Sequence, residues 1–432
     1  MPSATGRTRI ATIVPAWFLL PGLGAFLTSL AFYVQYQRDY PASGLDLGIY
    51  RQGAQAFLDG LQVYDLRFTL DLPYTYPPIT LPLLAPLAGL DMPRALHVLT
   101  AISVAAIMAT VWIAGGLMGH HGTPGRIGVA FAITGLAVWL EPVSQNLGLG
   151  QINVLLMLLV VADLALPDRV RWKGIGVGVA TACKLVPGIF VVYLVLTRRF
   201  RAAAVACGAF AMMTLIGWLA APEASTAYWL HGLFLDSTRV SGGNGPAFVA
   251  NQSLRGLALR SFGETTGAAV FWVVSALVVA VAGLALAVLA DRRGEETTAV
   301  VTVAFTALLV SPVSWSHHWV WVVVLLPLLM DVALRMDGWA QVVVAGLAPL
   351  WTMVLLMWPL QARPEEARAP NGVIWVAYRH DQPVQWFGEH VYVLAVLATM
   401  LLAAWWLRTA RDPEAAPATT TSWSRDVFVT SR

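Results

Sequence analysis

The chain has 432 residues, of which 58% are hydrophobic and only 12% charged, with a net charge of +3. A soluble domain carries about 25% charged residues, so this composition excludes a water-solvated globular protein and fits a chain solvated mostly by lipid. So small a net charge gives no reason to expect nucleic acid as a partner, and the positions of the arginines say more than their sum.

In chain order, apolar runs occur at 11–34, 202–221, 268–290, 297–312, 340–360 and 391–408. Each is close to the ~20 residues that cross a bilayer. The first is too long for a cleavable signal peptide, and no small-residue cleavage site follows it. Arg7 and Arg9 precede it, and DRVRWK (168–173), TRRFR (197–201), DRRGEE (291–296), LRMD (334–337) and LRTARDPE (407–414) punctuate the later runs. The positive-inside rule puts these segments in the cytoplasm and leaves 35–76, 222–266 and 361–390 as external loops. DRVRWK and TRRFR then share a side, so the segment between them must enter the membrane and return. It breaks near Cys183–Pro187 into two short helices. YPPITLPLLAPLAGL (76–90) is short and holds four prolines, which predicts a partial or re-entrant segment. The sum is an all-α polytopic membrane protein of about 12 transmembrane helices with both termini inside. One integral-membrane domain spans 1–410, and 411–432, rich in Ala, Thr and Ser, reads as a disordered cytoplasmic tail. Cys183 and Cys207 both lie in apolar runs and suggest neither a disulfide nor a metal site.

Polar residues at membrane depth are costly, so each is a candidate for function. The first external loop carries GLDLGIYRQGAQAFLDG (44–60), with apolar residues at 45, 49, 50, 54, 57 and 58. This spacing predicts an amphipathic helix on the membrane surface. Asp46 near its start either caps the helix or acts as a general base, a role that needs desolvation to raise its pKa. Tyr50 in this helix and Tyr76 in DLPYTYPPIT (71–80) are candidates for sugar contact, although interfacial tyrosines are also common as anchors. In QNLGLGQIN (145–153), Gln151 and Asn153 can hydrogen-bond sugar hydroxyls, or the glycines can simply make turns of a polar loop. The GLGQ stretch lacks the strand–turn–helix context of a nucleotide fingerprint.

Lys184 is one of only two lysines in the chain. It sits at the break of the short hairpin, and Pro187 suits the first turn of the next helix. A lysine beside a helix N-terminus binds anions; the alternative is a lysine snorkelling to the interface. Asn251 and Gln252, in SGGNGPAFVANQSLRG (241–256), are read as pocket wall in preference to a glycosylation acceptor at Asn251–Gln252–Ser253. SPVSWSHHWVW (311–321) sets His317 and His318 among Trp315, Trp319 and Trp321. Adjacent helical residues point about 100° apart, so one histidine is expected to face any given cavity. No ligand-spaced cysteine, carboxylate or second histidine pair supports zinc. Aromatic walls suit the C–H faces of a sugar ring, and a histidine beside them can donate to a phosphate or hydroxyl.

These candidates converge on the external side, with Lys184 deeper. They suit the movement of a sugar from a lipid-phosphate donor to an acceptor outside the membrane. Asp46 would take the acceptor's proton, and Lys184 with a histidine would stabilise the departing phosphate. A phosphate leaves without a general acid, so one carboxylate suffices, unlike the pair in most glycosidases.

GLDLGIYRQGAQAFLDG, LPYTYPPITLPLLAPLAGL, GLGQINVLLMLL, CKLVP and SPVSWSHHWVW, in that order between about residues 40 and 330, resemble glycosyltransferase family 87. These are polyprenol-phosphate-mannose-dependent α-mannosyltransferases of GT-C architecture. The resemblance implies a first-loop aspartate as catalytic base, which falls on Asp46, and a histidine near the donor phosphate, which falls on His317 or His318. It implies inverting transfer from a polyprenyl-phosphate-mannose donor to give an α-(1-2) linkage, without a nucleotide sugar, cofactor or required metal. The acceptors it implies are phosphatidylinositol mannosides, lipomannan or lipoarabinomannan, reached from the external face of the plasma membrane. Many members carry a second polar residue two positions after the aspartate; here that position is Gly48, leaving Asp46 the only carboxylate in LDLGIY. An arabinofuranosyltransferase using lipid-phosphate arabinose would satisfy the same site logic. A lipid or sugar transporter would share broken helices, but no inverted repeat is visible, and a large polar first loop is unusual for one. A non-catalytic scaffold would give the motifs no chemistry.

Overall fold

The computed structural model describes residues 14–120, 123–241, 245–356, 372–379 and 385–409. Among them the only β-type pairings are three isolated bridges. The helices are α1 (Leu19–Asp39), α2 (Leu45–Leu58), α3 (Thr80–Ala88), α4 (Met92–Leu117), α5 (Thr123–Ala137), α6 (Glu141–Leu149), α7 (Asn153–Leu164), α8 (Ile175–Cys183), α9 (Ile189–Leu196) and α10 (Phe200–Ala220). There follow α11 (Pro222–Ser225), α12 (Ser237–Ser241), α13 (Leu254–Phe262), α14 (Thr266–Arg292), α15 (Glu296–Val310), α16 (Val322–Leu334), α17 (Gly338–Leu355), α18 (Val373–Arg379), α19 (Gln385–Glu389) and α20 (Val391–Thr409).

Among the described residues, seven helical stretches are long and apolar enough to cross a membrane, or eight if the bent pair α6–α7 is one span. Their outer faces are greasy: along α14, Val270, Val274, Leu277, Val278 and Val281 are all more than half exposed. So much exposed hydrocarbon on one helix belongs against lipid, and the chain is a multi-pass membrane protein. The expected count of about 12 helices is not reached by this measure. The apolar run at 297–312 forms the 15-residue α15, and 76–90 contributes only the nine-residue α3. Arg7 and Arg9, most of the expected 361–390 loop and the 411–432 tail lie outside the described residues.

The polar loops meet at one end of the bundle. Lys173 pairs with Asp168 at 2.8 Å, and Arg199 joins Asp168, Asp291 and Glu296. Arg335 pairs with Glu295 and Asp331, and Asp331 also meets His120. Five interhelical connections, after α4, α7, α9, α14 and α16, are thereby tied together, as expected if they share one side of the membrane. From this charged end α7, α8 and α15 run for 12, 9 and 15 residues. At 1.5 Å per residue they rise only about 18, 14 and 22 Å, short of a hydrocarbon core of about 30 Å. They stop where the candidate site begins.

Close glycine packing holds the N-terminal helices. A Cβ on Gly22 would run into the backbone of Gly128, and one on Gly128 would meet the Phe18 carbonyl oxygen at 2.5 Å. Neither clash involves a side chain that could move aside, so α1 and α5 approach as closely as they do because these positions are bare. Gly128→Val is expected to destabilise the protein by about 1–3 kcal/mol, read as a lower melting temperature in detergent.

Candidate active site

A cavity of about 310 Å³ opens where the short helices end. Its first wall is the N-terminal turn of α2. Gly150 ends α6 in a left-handed conformation (φ 72°), and a Cβ there would meet that of Leu47 at 2.5 Å. Glycine is the residue that tolerates such a φ without strain, and its bareness lets α2 dock on the α6–α7 turn. The Gly44 amide completes the joint by donating to the Gly148 carbonyl at 2.8 Å. From the far side of α2, Arg51 donates to the carbonyls of Leu87, Ala88 and Leu90 at the end of α3. Asp46 thus faces the cavity from the first turn of a clamped helix. It does not cap that helix, whose N-cap is Gly44 with no side-chain bond.

Gln151 orients Asp46. Its Oε1 accepts from the hydroxyls of Tyr50 (2.9 Å) and Tyr76 (2.8 Å), which turns its amide nitrogen towards the Asp46 carboxylate. Burial pushes the Asp46 carboxyl up to about 6, against the opposing pull of the Gln151 hydrogen bond and the Lys184 charge. A base of that pKa is ionised at neutral pH yet far stronger than an ordinary aspartate.

The second wall is the break between α8 and α9. Lys184 follows α8 in extended conformation, and Val186–Gly188 turns into α9, as the Pro187 signal predicted. The Lys184 ammonium donates to Asn153 Oδ1 (2.8 Å) and His318 Nε2 (3.0 Å), and it stands 5.5 Å from the Tyr76 ring centre. An ammonium has three donors, so one remains for a ligand. Accepting from lysine at Nε2 leaves the His318 proton on Nδ1. Asn153 passes its own amide protons to Asn146 Oδ1 and the His317 carbonyl, both at 3.1 Å.

The third wall is the turn Ser316–Trp321. Both histidines line the cavity, not one of the two, because the segment is a 3₁₀ turn that holds their rings edge to face at 4.8 Å. His317 Nε2 is buried without a protein partner. A buried ring nitrogen is costly to leave unpaired, so this atom is available to a ligand. Lys184, expected deeper than the rest, is in direct contact with His318.

Of the other predicted residues, Tyr76, Gln151 and Trp315 line the cavity, while Tyr50 and Asn153 lie directly behind it. Asn251 and Gln252 do not form pocket wall. Both are fully buried, and their amides serve the backbone: Asn251 donates to the Pro246 and Pro312 carbonyls, Gln252 to those of Val249 and Glu389. Buried carbonyls need donors, and here these two side chains supply them. Trp319 also turns away, into the core between Phe305 and Tyr392. Sequence reading missed Tyr64, Tyr228 and Arg239, which line the cavity. It also missed Glu141, fully buried and accepting from Ser316, Trp375 and Tyr392 at 2.7 Å each. Glu141 anchors the residue just before His317. Its signal was present: it is the only carboxylate between Asp91 and Asp163.

Comparison with known proteins identifies the family. The family model for glycosyltransferase family 87 matches residues 74–312. A Mycobacterium tuberculosis polyprenol-phosphate-mannose-dependent alpha-(1-2)-phosphatidylinositol mannoside mannosyltransferase is 35% identical over 82% of this chain and 84% of its own. Its Mycolicibacterium smegmatis namesake is 33% identical with the same coverage of both chains. A Mycobacterium tuberculosis alpha-(1-2)-phosphatidylinositol pentamannoside mannosyltransferase is 34% identical over 83% of this chain and 80% of its own. No solved structure matches significantly. The family model spans more than half of the chain and these relatives align with more than four fifths of it, so the chain belongs to glycosyltransferase family 87.

Proposed function

We propose that the chain transfers a mannosyl residue from polyprenyl-phosphate-mannose to a mannosylated glycolipid, with inversion, to form an α-(1-2) linkage. The observation that carries this reading is the shared cavity: Asp46, held by Gln151, faces the same space as the Lys184–His318 pair and the unpartnered His317 Nε2. The acceptor hydroxyl gives its proton to Asp46 as its oxygen attacks the anomeric carbon. The bond from that carbon to the phosphate oxygen breaks, and the electron pair leaves with the lipid phosphate. Lys184 and His317 lie where that growing negative charge needs donors. Donor and acceptor classes follow the names of the relatives. The cavity sits at the ends of α8, α9 and α15 opposite the arginine-rich loops, which favours an external active site in the plasma membrane.

The test is transfer of radiolabelled mannose from polyprenyl-phosphate-mannose to a mycobacterial glycolipid extract by the purified protein. An alkali-labile α-(1-2)-mannosylated lipid is not required; an α-(1-2)-mannosidase-sensitive product is the expected result. Turnover of lipid-phosphate arabinose instead would overturn the mannose assignment.

A further inference from the structure

The cavity holds a second cation that the transfer step does not use. Arg239, on α12, lines the cavity beside Tyr64 and Tyr228. Its Nη2 donates to the Tyr64 carbonyl at 2.8 Å and reaches that of Tyr74 at 3.5 Å. Both acceptors are neutral, and among the described residues no carboxylate forms an ion pair with it. Asp236, three residues earlier, also lines the cavity; it accepts from the Thr238 amide and hydroxyl and feels the Arg239 charge without closing an ion pair with it. A planar guanidinium anchored on one edge by carbonyls keeps its remaining N–H groups for a bidentate acceptor such as a phosphate. Beside it, Tyr64 and Tyr228 line the cavity, their rings stacked on each other at 5.5 Å.

We propose that Arg239 binds the phosphodiester of the acceptor glycolipid, with an acceptor sugar lying against Tyr64 and Tyr228. This rests on the mannosyl-transfer reading above. The donor brings one phosphate, which Lys184 and the histidines receive. An inositol phospholipid acceptor brings a second, and Arg239 is the cation left on a different wall, built by residues 64–76 and 233–240. Anchoring the acceptor by its phosphate sets which sugar hydroxyl reaches Asp46.

The experiment compares two acceptors, a phosphatidylinositol mannoside and an alkyl mannoside without phosphate, in wild type, Arg239→Gln and Arg239→Lys. The wild type is expected to show a lower KM for the phosphate-bearing lipid. Arg239→Gln should erase about 10- to 100-fold of that preference, the worth of a lost charge-assisted hydrogen bond, and Arg239→Lys should restore part of it. Equal KM increases for both acceptors would make Arg239 a support for the Tyr64–Tyr74 segment and overturn the proposal. A rise confined to the donor KM would also overturn it. Equilibrium binding of both acceptors without donor separates this inference from the reading beneath it. Arg239-dependent binding of the phosphate-bearing lipid upholds the site even where mannose is not transferred, and Arg239-independent binding refutes it.

Discussion

Asp46→Asn is expected to lower the rate of transfer by about 10²- to 10⁴-fold, the range a positioned general base contributes, while donor binding persists. Asparagine keeps the shape of aspartate but cannot take a proton. The wild-type pH profile supplies a second reading of the same residue. Burial holds the Asp46 carboxyl at about 6, and the base works only when ionised. The logarithm of kcat/KM should therefore rise with unit slope as pH approaches 6 from below. In Asp46→Asn this limb should vanish from whatever activity remains. Near-equal rates in the two proteins, measured as mannose incorporated per minute, would remove Asp46 as the base. A limb near 4 would mean that the carboxylate is solvated and not shielded as the cavity implies.

How Asp46 acquires that environment shows what the sequence could and could not disclose. The helix carrying it was legible, because apolar residues recur at helical spacing across 45–58 and the structure places a helix at Leu45–Leu58. The break at Lys184 was legible too, since basic segments on both flanks forced a return and Pro187 marked the restart. What the one-dimensional pattern lacked was the direction in which an amide points. Gln151 reads as a sugar-binding side chain, yet its carbonyl oxygen is occupied by Tyr50 and Tyr76 and its nitrogen serves Asp46. Asn251 and Gln252 are of the right chemical type but spend it on backbone carbonyls from distant parts of the chain. Tyr64, Tyr228 and Arg239 converge only through tertiary packing of segments some 165 residues or more apart, and no local period announces that. Glu141 differs: a single carboxylate in a long apolar stretch is a visible anomaly, and its three buried donors are its explanation.

Lys184→Met is expected to reduce transfer by about 10²- to 10³-fold, the cost of removing one preorganised donor from a developing oxyanion. The lysine serves two ends of the reaction at once. Its spare N–H is available to the departing phosphate, and its charge draws the Asp46 pKa down from where burial alone would set it. Removing the charge should move the acid limb of kcat/KM above 6, because the carboxylate loses an attractive neighbour and holds its proton to higher pH. A purely structural lysine would slow the reaction without moving that limb. The substitution also leaves Asn153 Oδ1 and His318 Nε2 without their donor, so a melting curve must accompany the kinetics. Lys184→Arg keeps the charge on a wider, planar head and should hold the limb near 6 even if its rate is low. The leaving-group role has its own test. A donor with mannose on polyprenyl pyrophosphate expels a less basic group and needs less help from a cation. It should recover part of the rate in Lys184→Met and none in Asp46→Asn, since only the first defect lies at the departing phosphate.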